Sequence, residues 1–351
     1  MTREIAFSVV ILNYNGKRDL MECLASVFRS VHDAFEVILI DNGSFDGSIQ
    51  SVKNEFGNDD RLKVVRLLQN NGIAGPTNIG ISHSIGKYIV FLNNDTIVDQ
   101  HWLWELERVM ESDYTIGAAQ CKLLSFHNPT VLDGAGIAID LHGCPMEKGG
   151  RYYLSGETDR GQFRNLSEIF GAAYPAMIVR RGVLKETGLF DPKFFCYMED
   201  VDLSWRIRLR GYKIVLASQA IVYHKRGSTT SKNVHPDFWL EVAWHYRKNR
   251  IAMLVKNYSG TTLLKQAPFL VGLYFLFLLN DIFIVRDSRA VVGSIRAVAW
   301  NLKELGYLIE MRWRVQNEIR RIEDHQLSKL MSKKCLLIKN YVKPALDLAF
   351  G

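Results

Sequence analysis

Three short polar clusters in this 351-residue chain carry residue types that could hold a divalent metal, shift a carboxyl pKa and neutralise phosphates. The first, Asn93-Asn94-Asp95 in FLNNDT, ends an apolar run over Tyr88–Leu92. Asn and Asp bond their own backbone and favour turns, so a plain bend is one reading. The other is that Asp95 holds a divalent cation at the C-terminal edge of a parallel sheet, where open α/β folds bind ligands. The second cluster, Glu199-Asp200 with Asp202, stands before a segment whose Leu203, Ile207 and Leu209 predict a helix. One acid there suits the positive end of a helix dipole. Several crowded carboxylates repel one another, which raises a carboxyl pKa and gives the cluster a functional reading. The third, His224-Lys225-Arg226-Gly227-Ser228, closes the apolar run Ile221–Tyr223. An imidazole, two cations and a Gly/Ser loop have the composition of a lid that neutralises phosphates.

Such clusters act together only if a frame brings strand ends side by side. Residues 7–12, FSVVIL, form an unbroken apolar run of the kind buried on both faces, and Asn13-Tyr14-Asn15-Gly16 breaks it. Leu20, Cys23, Leu24, Val27 and Phe28 predict a helix, Phe35–Ile40 a second strand ending in DNGSFDGS, and Lys63–Leu67 a third. The loop QNNGIAGPTN then leads into a helix through about Ile85, and Tyr88–Leu92 is the fourth strand. This order predicts a doubly wound, mostly parallel sheet flanked by helices, with every polar cluster on one edge. GxGxxG and GxxxxGK[ST] are both absent, which removes support for dinucleotide and P-loop chemistry. Residues 100–230 read as more mixed: a helix near 102–111, a strand through Ile116–Leu124, and Gly-rich loop or short strands over 133–150.

The apolar share of 48% and charged share of 23% describe an ordinary globular chain. Five cysteines lack the spacing of a disulfide framework or zinc site, pointing to a reducing compartment. Residues 1–12 place Arg3 and Glu4 before a short strand-like run, unlike a secretory signal, so a cytoplasmic location is expected. The net charge of +7 is concentrated late: from Arg286 onward there are 13 Lys/Arg against 7 Asp/Glu. That asymmetry suggests an anionic surface as partner. No helix-turn-helix, RRM or zinc motif supports nucleic acid. Residues 236–257 predict an amphipathic helix packed on the preceding domain. In the apolar stretch 267–285 only 13 residues run uninterrupted before Asn280-Asp281. That is short of the roughly 20 a spanning helix needs, so a buried hairpin or an in-plane membrane segment is expected. With the basic segments from Arg296 to Lys343 it suggests peripheral contact with anionic lipid at the inner face of the cell membrane, a soluble packing or homodimer face being the rival.

Across residues 6–250 six motifs, SVVILNYNG, VILIDNGSFDGS, QNNGIAGPTNIG, YIVFLNNDT, GLFDPKFFCYMEDVDLSWRIRLRGYKI and VYHKRGS, occur in an order that resembles the family 2 glycosyltransferases. These are inverting enzymes of GT-A fold, and the chain is most similar to the rhamnosyltransferase-like and galactofuranosyltransferase-like members. The resemblance implies a GT-A domain over 1–232, its 1–98 half binding a nucleotide-diphosphate sugar and its 99–232 half the acceptor, followed by a helical, basic region over 233–351. It implies donor contacts from Asn13, Asn15, Asp41, Asn70, Gly72, Ala74, Asn78, Asn93 and Asn94, with Lys225 and Arg226 toward the phosphates. Asp95 and His224 match the ligands of Mn2+ or Mg2+, although Asn93 stands where the family's metal motif usually begins with Asp. Asp200 matches the general base. Glu199 would orient it or bind the acceptor; Asp202 and Trp205 carry acceptor roles beside the plainer readings of cap and packing residue. The QxxRW motif of processive members is absent, implying one sugar or a short run per acceptor. A dTDP-rhamnose-like donor is the first suggestion, and a glycan or lipid-linked acceptor in cell-surface polysaccharide synthesis the expected partner. A sugar-phosphate nucleotidyltransferase, whose GxGTRxxP-type loop is missing, and a non-catalytic basic binding module are the alternatives.

Overall fold

The computed structural model of the chain describes residues 5–150, 156–165, 167–226 and 238–336. Gly227 and Ser228 of the expected phosphate lid, and the tail cations Lys339 and Lys343, lie outside them. The first part alternates β1 (Phe7–Asn13), α1 (Lys17–Phe28), β2 (Phe35–Asp41), α2 (Ser48–Phe56), β3 (Leu62–Arg66), α3 (Ala74–His83) and β4 (Tyr88–Asn93). Next come β5 (Thr96–Val98), α4 (Trp102–Ser112), β6 (Ile116–Ser125), β7 (Leu132–Gly134), β8 (Ile137–Ile139), β9 (Pro145–Glu147), β10 (Ser167–Glu168) and β11 (Ala176–Arg180). Helices α5 (Arg181–Thr187) and α6 (Glu199–Arg210) precede the long β12 (Lys213–His224). The rest is helical: α7 (Phe238–Asn257), α8 (Gly260–Asn280) with a π turn over Asp281–Val285, α9 (Ser288–Lys303), α10 (Leu305–Arg314) and α11 (Asp324–Leu327).

A mixed sheet runs in the order β10-β12-β6-β11-β4-β1-β2-β3, with β5 added to β12 and β7 to β6. β1 lies parallel to both β2 and β4, β2 to β3 and β12 to β6, while β11 is antiparallel between β4 and β6. The unbroken apolar runs follow from burial on both faces. Phe7, Val9 and Ile11 join one core cluster and Val10 the other; Phe35, Val37 and Leu39 oppose Ile38 and Ile40 in the same way. Register then lines up the polar ends. Asn13 is paired with Asp41, and Leu12 with Asn93, so the three strand ends form a row along the C-terminal edge.

Helix α2 was not read from the sequence. DNGSFDGS does end β2, but Gly47, left-handed at φ 76°, turns the chain straight into a helix whose buried Ile49 and Val52 pack inward. The expected helix over 236–257 is α7, and the expected short strands near 133–150 are β7 to β9. The stretch 267–285 forms neither a hairpin nor a buried one. It belongs to the single helix α8, in which only Leu273 is buried, because Asn280 and Asp281 continue the helix instead of turning it. A third core cluster joins the C-terminal helices to α6: Trp205 and Leu209 pack with Met253, Tyr258, Leu308, Val315 and Ile319.

Candidate active site

β5 returns antiparallel along the end of β12 and sets Thr96 opposite His224, which brings the neighbouring Asp95 to the same imidazole. His224 Nε2 lies 3.3 Å from Asp95 Oδ1, and its Nδ1 2.7 Å from Asp133 Oδ2. A carboxylate behind the ring fixes its orientation, as it does for metal-bound histidines. Burial opposes charge on His224, but Asp133 and Asp95 outweigh it and lift the imidazole to about 9. Burial likewise opposes charge on Asp95, and His224 overcomes it to hold that carboxyl below its ordinary range. Apart from the imidazole, Asp95 Oδ1 is buried with no hydrogen-bond partner, an oxygen suited to a hard cation. Among the described residues no three His, Cys, Asp or Glu side chains form a ready metal centre. Asp95 and His224 are the pair of side chains here that could hold a cation.

The two cations beyond His224 are engaged with the fold itself. Lys225 Nζ lies 2.8 Å from Asp19 and 2.5 Å from Glu22, both on α1. Arg226 Nε lies 2.5 Å from Asp133 Oδ1, and the guanidinium also pairs with Glu147. Both cations, expected toward the phosphates, are paired with carboxylates in this structure, because β12 ends among acids of α1, β7 and β9.

Along the rest of the edge, Asn13 Nδ2 donates to Ser44 and Ser48, and its Oδ1 accepts from Asn94 Nδ2 at 2.8 Å. Gly16 is required beneath that bond, since a Cβ there would come 2.3 Å from Asn94 Nδ2. Asn15, at φ 50°, accepts from Phe45 N. Asp41 is fully buried at the end of β2, 3.4 Å from the half-exposed Arg66. Asn70 turns the following loop by accepting from Asn42 and Gly72 N. Gly72, at φ 77°, lies so close to Phe195 O that a Cβ would approach to 2.3 Å, and Ile73 N and Ala74 N both donate to that carbonyl. Asn78 exchanges two hydrogen bonds with the Phe190 backbone. Gly72, Ala74 and Asn78 thus dock the loop onto residues 190–195.

The acids at the start of α6 follow a strained segment. Phe195, Tyr197 and Met198 all have φ between 63° and 70°, a costly region for such side chains. Buried Asn249 of α7 holds it, Nδ2 lying 2.8 Å from the carbonyls of Phe194, Cys196 and Tyr197. Asp200 accepts from Tyr174 N at 3.0 Å and from Val201 N at 2.8 Å. The next residue after Tyr174 binds β4, for Pro175 O accepts from Asn93 N. Asp200 is thereby tied to the edge that carries Asp95. Burial raises the Asp200 pKa. Burial and then the Asp200 charge raise Glu199 well above its ordinary value, and Glu199 Oε2 has no hydrogen-bond partner.

Asp202 and Trp205 do not join them. Asp202 is fully buried and accepts from Arg206, Lys256 and Asn257, so it neither caps α6 nor faces an acceptor. Trp205 is fully buried edge-on to Phe170 and Tyr258. On a helix, residues 200 and 202 point about 200° apart, which turns one carboxylate to the edge and the other inward. Sequence reasoning missed Asp133, Glu147 and Asn249. Asp133 is 91 residues from its imidazole, and nothing in VLDGAG distinguishes it from a turn residue.

Comparison with known proteins places the chain in a family. The model of glycosyl transferase family 2 matches residues 8–188. The chain belongs to that family. The match covers the strand ends from Asn13 to Asn94 and Asp95, and stops short of Asp200 and His224. The O-antigen biosynthesis protein RfbC of Myxococcus xanthus is 28% identical over 247 residues, covering 67% of this chain and 18% of the relative. Poly-beta-1,6-N-acetyl-D-glucosamine synthase of Staphylococcus aureus is 25% identical over 57% of the chain and 45% of that protein, so the chain spans less than half of either family relative. Among solved structures, S. aureus TarS 1-349 in complex with UDP-GlcNAc shares the fold at a TM-score of 0.55 and 18% identity, over 97% of this chain and 88% of that one.

Proposed function

We propose that this chain transfers a sugar, with inversion, from a nucleotide-diphosphate donor to a glycan or lipid-linked acceptor in cell-surface polysaccharide synthesis. The carrying observation is that the Asp95–His224 pair and Asp200 border one sheet edge, linked through Tyr174-Pro175 to Asn93, in a family 2 chain. Asn13, Asn15 and Asp41 line the adjoining strand ends and are assigned the nucleoside. Mn2+ or Mg2+ held by Asp95 and His224 would compensate the charge that grows on the departing diphosphate. Asp133 serves that pair by fixing the imidazole with Nε2 toward Asp95.

Inversion needs an acceptor hydroxyl attacking from the face opposite the leaving group, and a base to take its proton. Asp200 is that base. Two backbone N–H groups orient its carboxylate, and burial raises its pKa, which makes it a stronger proton acceptor than an ordinary carboxylate. Burial and the neighbouring Asp200 charge raise the Glu199 pKa well above its ordinary value, so Glu199 ionises less readily than a free carboxyl.

Incubation with a panel of UDP-, GDP- and dTDP-sugars, dTDP-rhamnose included, plus Mn2+ tests the reading. Slow release of nucleoside diphosphate is expected without acceptor. Release of pyrophosphate would identify a nucleotidyltransferase in its place.

A further inference from the structure

Among the described residues, fourteen of the twenty-five exposed large hydrophobic side chains fall in one stretch, from Leu264 to Trp313. They lie on α8, α9, α10 and the turns between them, while ten are spread over residues 14–197. On α9 and α10, exposed Val292, Ile295, Leu302, Ile309 and Trp313 recur at helical spacing, and Val298 and Leu305 widen the stripe. That breadth exceeds the two-position seam of a coiled coil and suits a flat apolar medium. Exposed Arg296 and Lys303 stand one position beyond Ile295 and Leu302, and Glu310 and Arg314 hold the same place beyond Ile309 and Trp313, so a charged row with three cations to one acid borders the stripe.

Helix α8 supplies the second apolar element. Gly260–Phe283 has a mean hydropathy of 1.6 and is long and apolar enough to cross a bilayer. Its attachments fix a different orientation. At its start, Ser259 N donates to Asp324; near its middle, Tyr274 donates to Ser294 O; at its end, Asp281 takes two bonds from Arg247 at 2.5 and 2.9 Å. A helix of this length spans about 30 Å, so tying both ends to the same helical layer holds it along that layer instead of across a membrane. Between α7 and α8 runs a groove of about 450 Å3, lined by Ile251, Leu254, Leu270, Phe275 and Leu278.

We infer that the α8–α10 face docks in the plane of an anionic phospholipid bilayer, with acyl chains filling the α7–α8 groove. The charge excess from Arg286 onward, 13 cations against 7 acids, complements anionic headgroups. The inference is independent of the reaction assigned above.

Flotation of the full chain with vesicles of phosphatidylcholine plus phosphatidylglycerol, and with phosphatidylcholine alone, tests it. Tight, salt-sensitive binding to the anionic vesicles is expected. The double substitution Ile295→Asp/Leu302→Asp should weaken it at least about tenfold. Arg296→Glu/Lys303→Glu should do the same on anionic vesicles and leave any binding to neutral ones unchanged. These side chains are exposed, so both variants should unfold at the temperature of the parent, which separates lost docking from lost folding. Flotation unaffected by either pair overturns the inference. So does an absence of vesicle binding, and so does a dimer in light scattering that Ile295→Asp/Leu302→Asp converts to monomer.

Discussion

Glu199 and Asp200 occupy neighbouring positions on the first turn of α6 yet meet different surroundings. Asp200 has two N–H donors, whereas Glu199 is buried with an oxygen that nothing satisfies. Replacing Asp200 by Asn keeps the shape but removes the proton acceptor, so kcat should fall by about 10²–10⁴-fold while donor affinity, read by calorimetry, stays close to the parent value. In the parent, the acid limb of kcat should lie above the ordinary carboxylate range, because burial raises the Asp200 pKa. Glu199 yields a stability prediction. Its folded pKa is raised above the unfolded value of about 4.3, so it costs nothing at lower pH, and stability declines as pH rises from there toward the folded pKa. Glu199→Gln cannot ionise. It should raise the unfolding midpoint at neutral pH, and the gain should vanish near pH 4, as thermal scans across pH would record. At this scale Asp95, Asp200 and His224 were legible because each follows or opens a regular element. Asp133 was not, since only the folded path of β6 and β7 brings it to β12.

The element that carries these acids is held in place by others. Residues 195–198 touch the Gly72 loop through Phe195 O and α7 through Asn249 and His245, whose ring stacks on Phe195 at 4.9 Å. Three strained residues in so short a loop persist only if such neighbours over-determine them. Asn249→Ala should therefore relax the segment and displace Asp200. We expect a loss of about 1–3 kcal/mol in stability, as for an abandoned set of buried acceptors. We also expect kcat to fall further than that loss explains, with donor KM unchanged; an equal fall in soluble folded protein and activity would reduce Asn249 to scaffold. The buried parallel strands were readable because burial on both faces leaves unbroken apolar runs. The junction with α7 was not, because the contact joins residues more than fifty positions apart through an amide that looks ordinary in sequence.

The resemblance implies a boundary near residue 232, and the helices beyond it pack closely on α6. Lys256 of α7 reaches Asp191 at 2.6 Å and Asp202 at 3.2 Å, Arg206 joins Asp202, and Tyr307 of α10 donates to Asp191 at 2.7 Å. This buried ionic network and the core around Trp205 lie between α6 and the C-terminal helices. A chain ending after Ser259 would lose Leu308, Val315, Ile319, Leu327 and Met331 from that core. At roughly 2 kcal/mol for each buried side chain, five amount to on the order of 10 kcal/mol. That equals the whole stability of a typical domain, about 5–15 kcal/mol. Truncation would also open Lys256, Asp191 and Asp202 to water and remove Tyr307, so the acids of α6 would lose their backing. The truncated protein should show no cooperative unfolding transition at temperatures where the full chain is folded, and it should bind no donor. A fully cooperative transition in the fragment would mean that α7 alone suffices to hold α6 and its acids at the sheet edge.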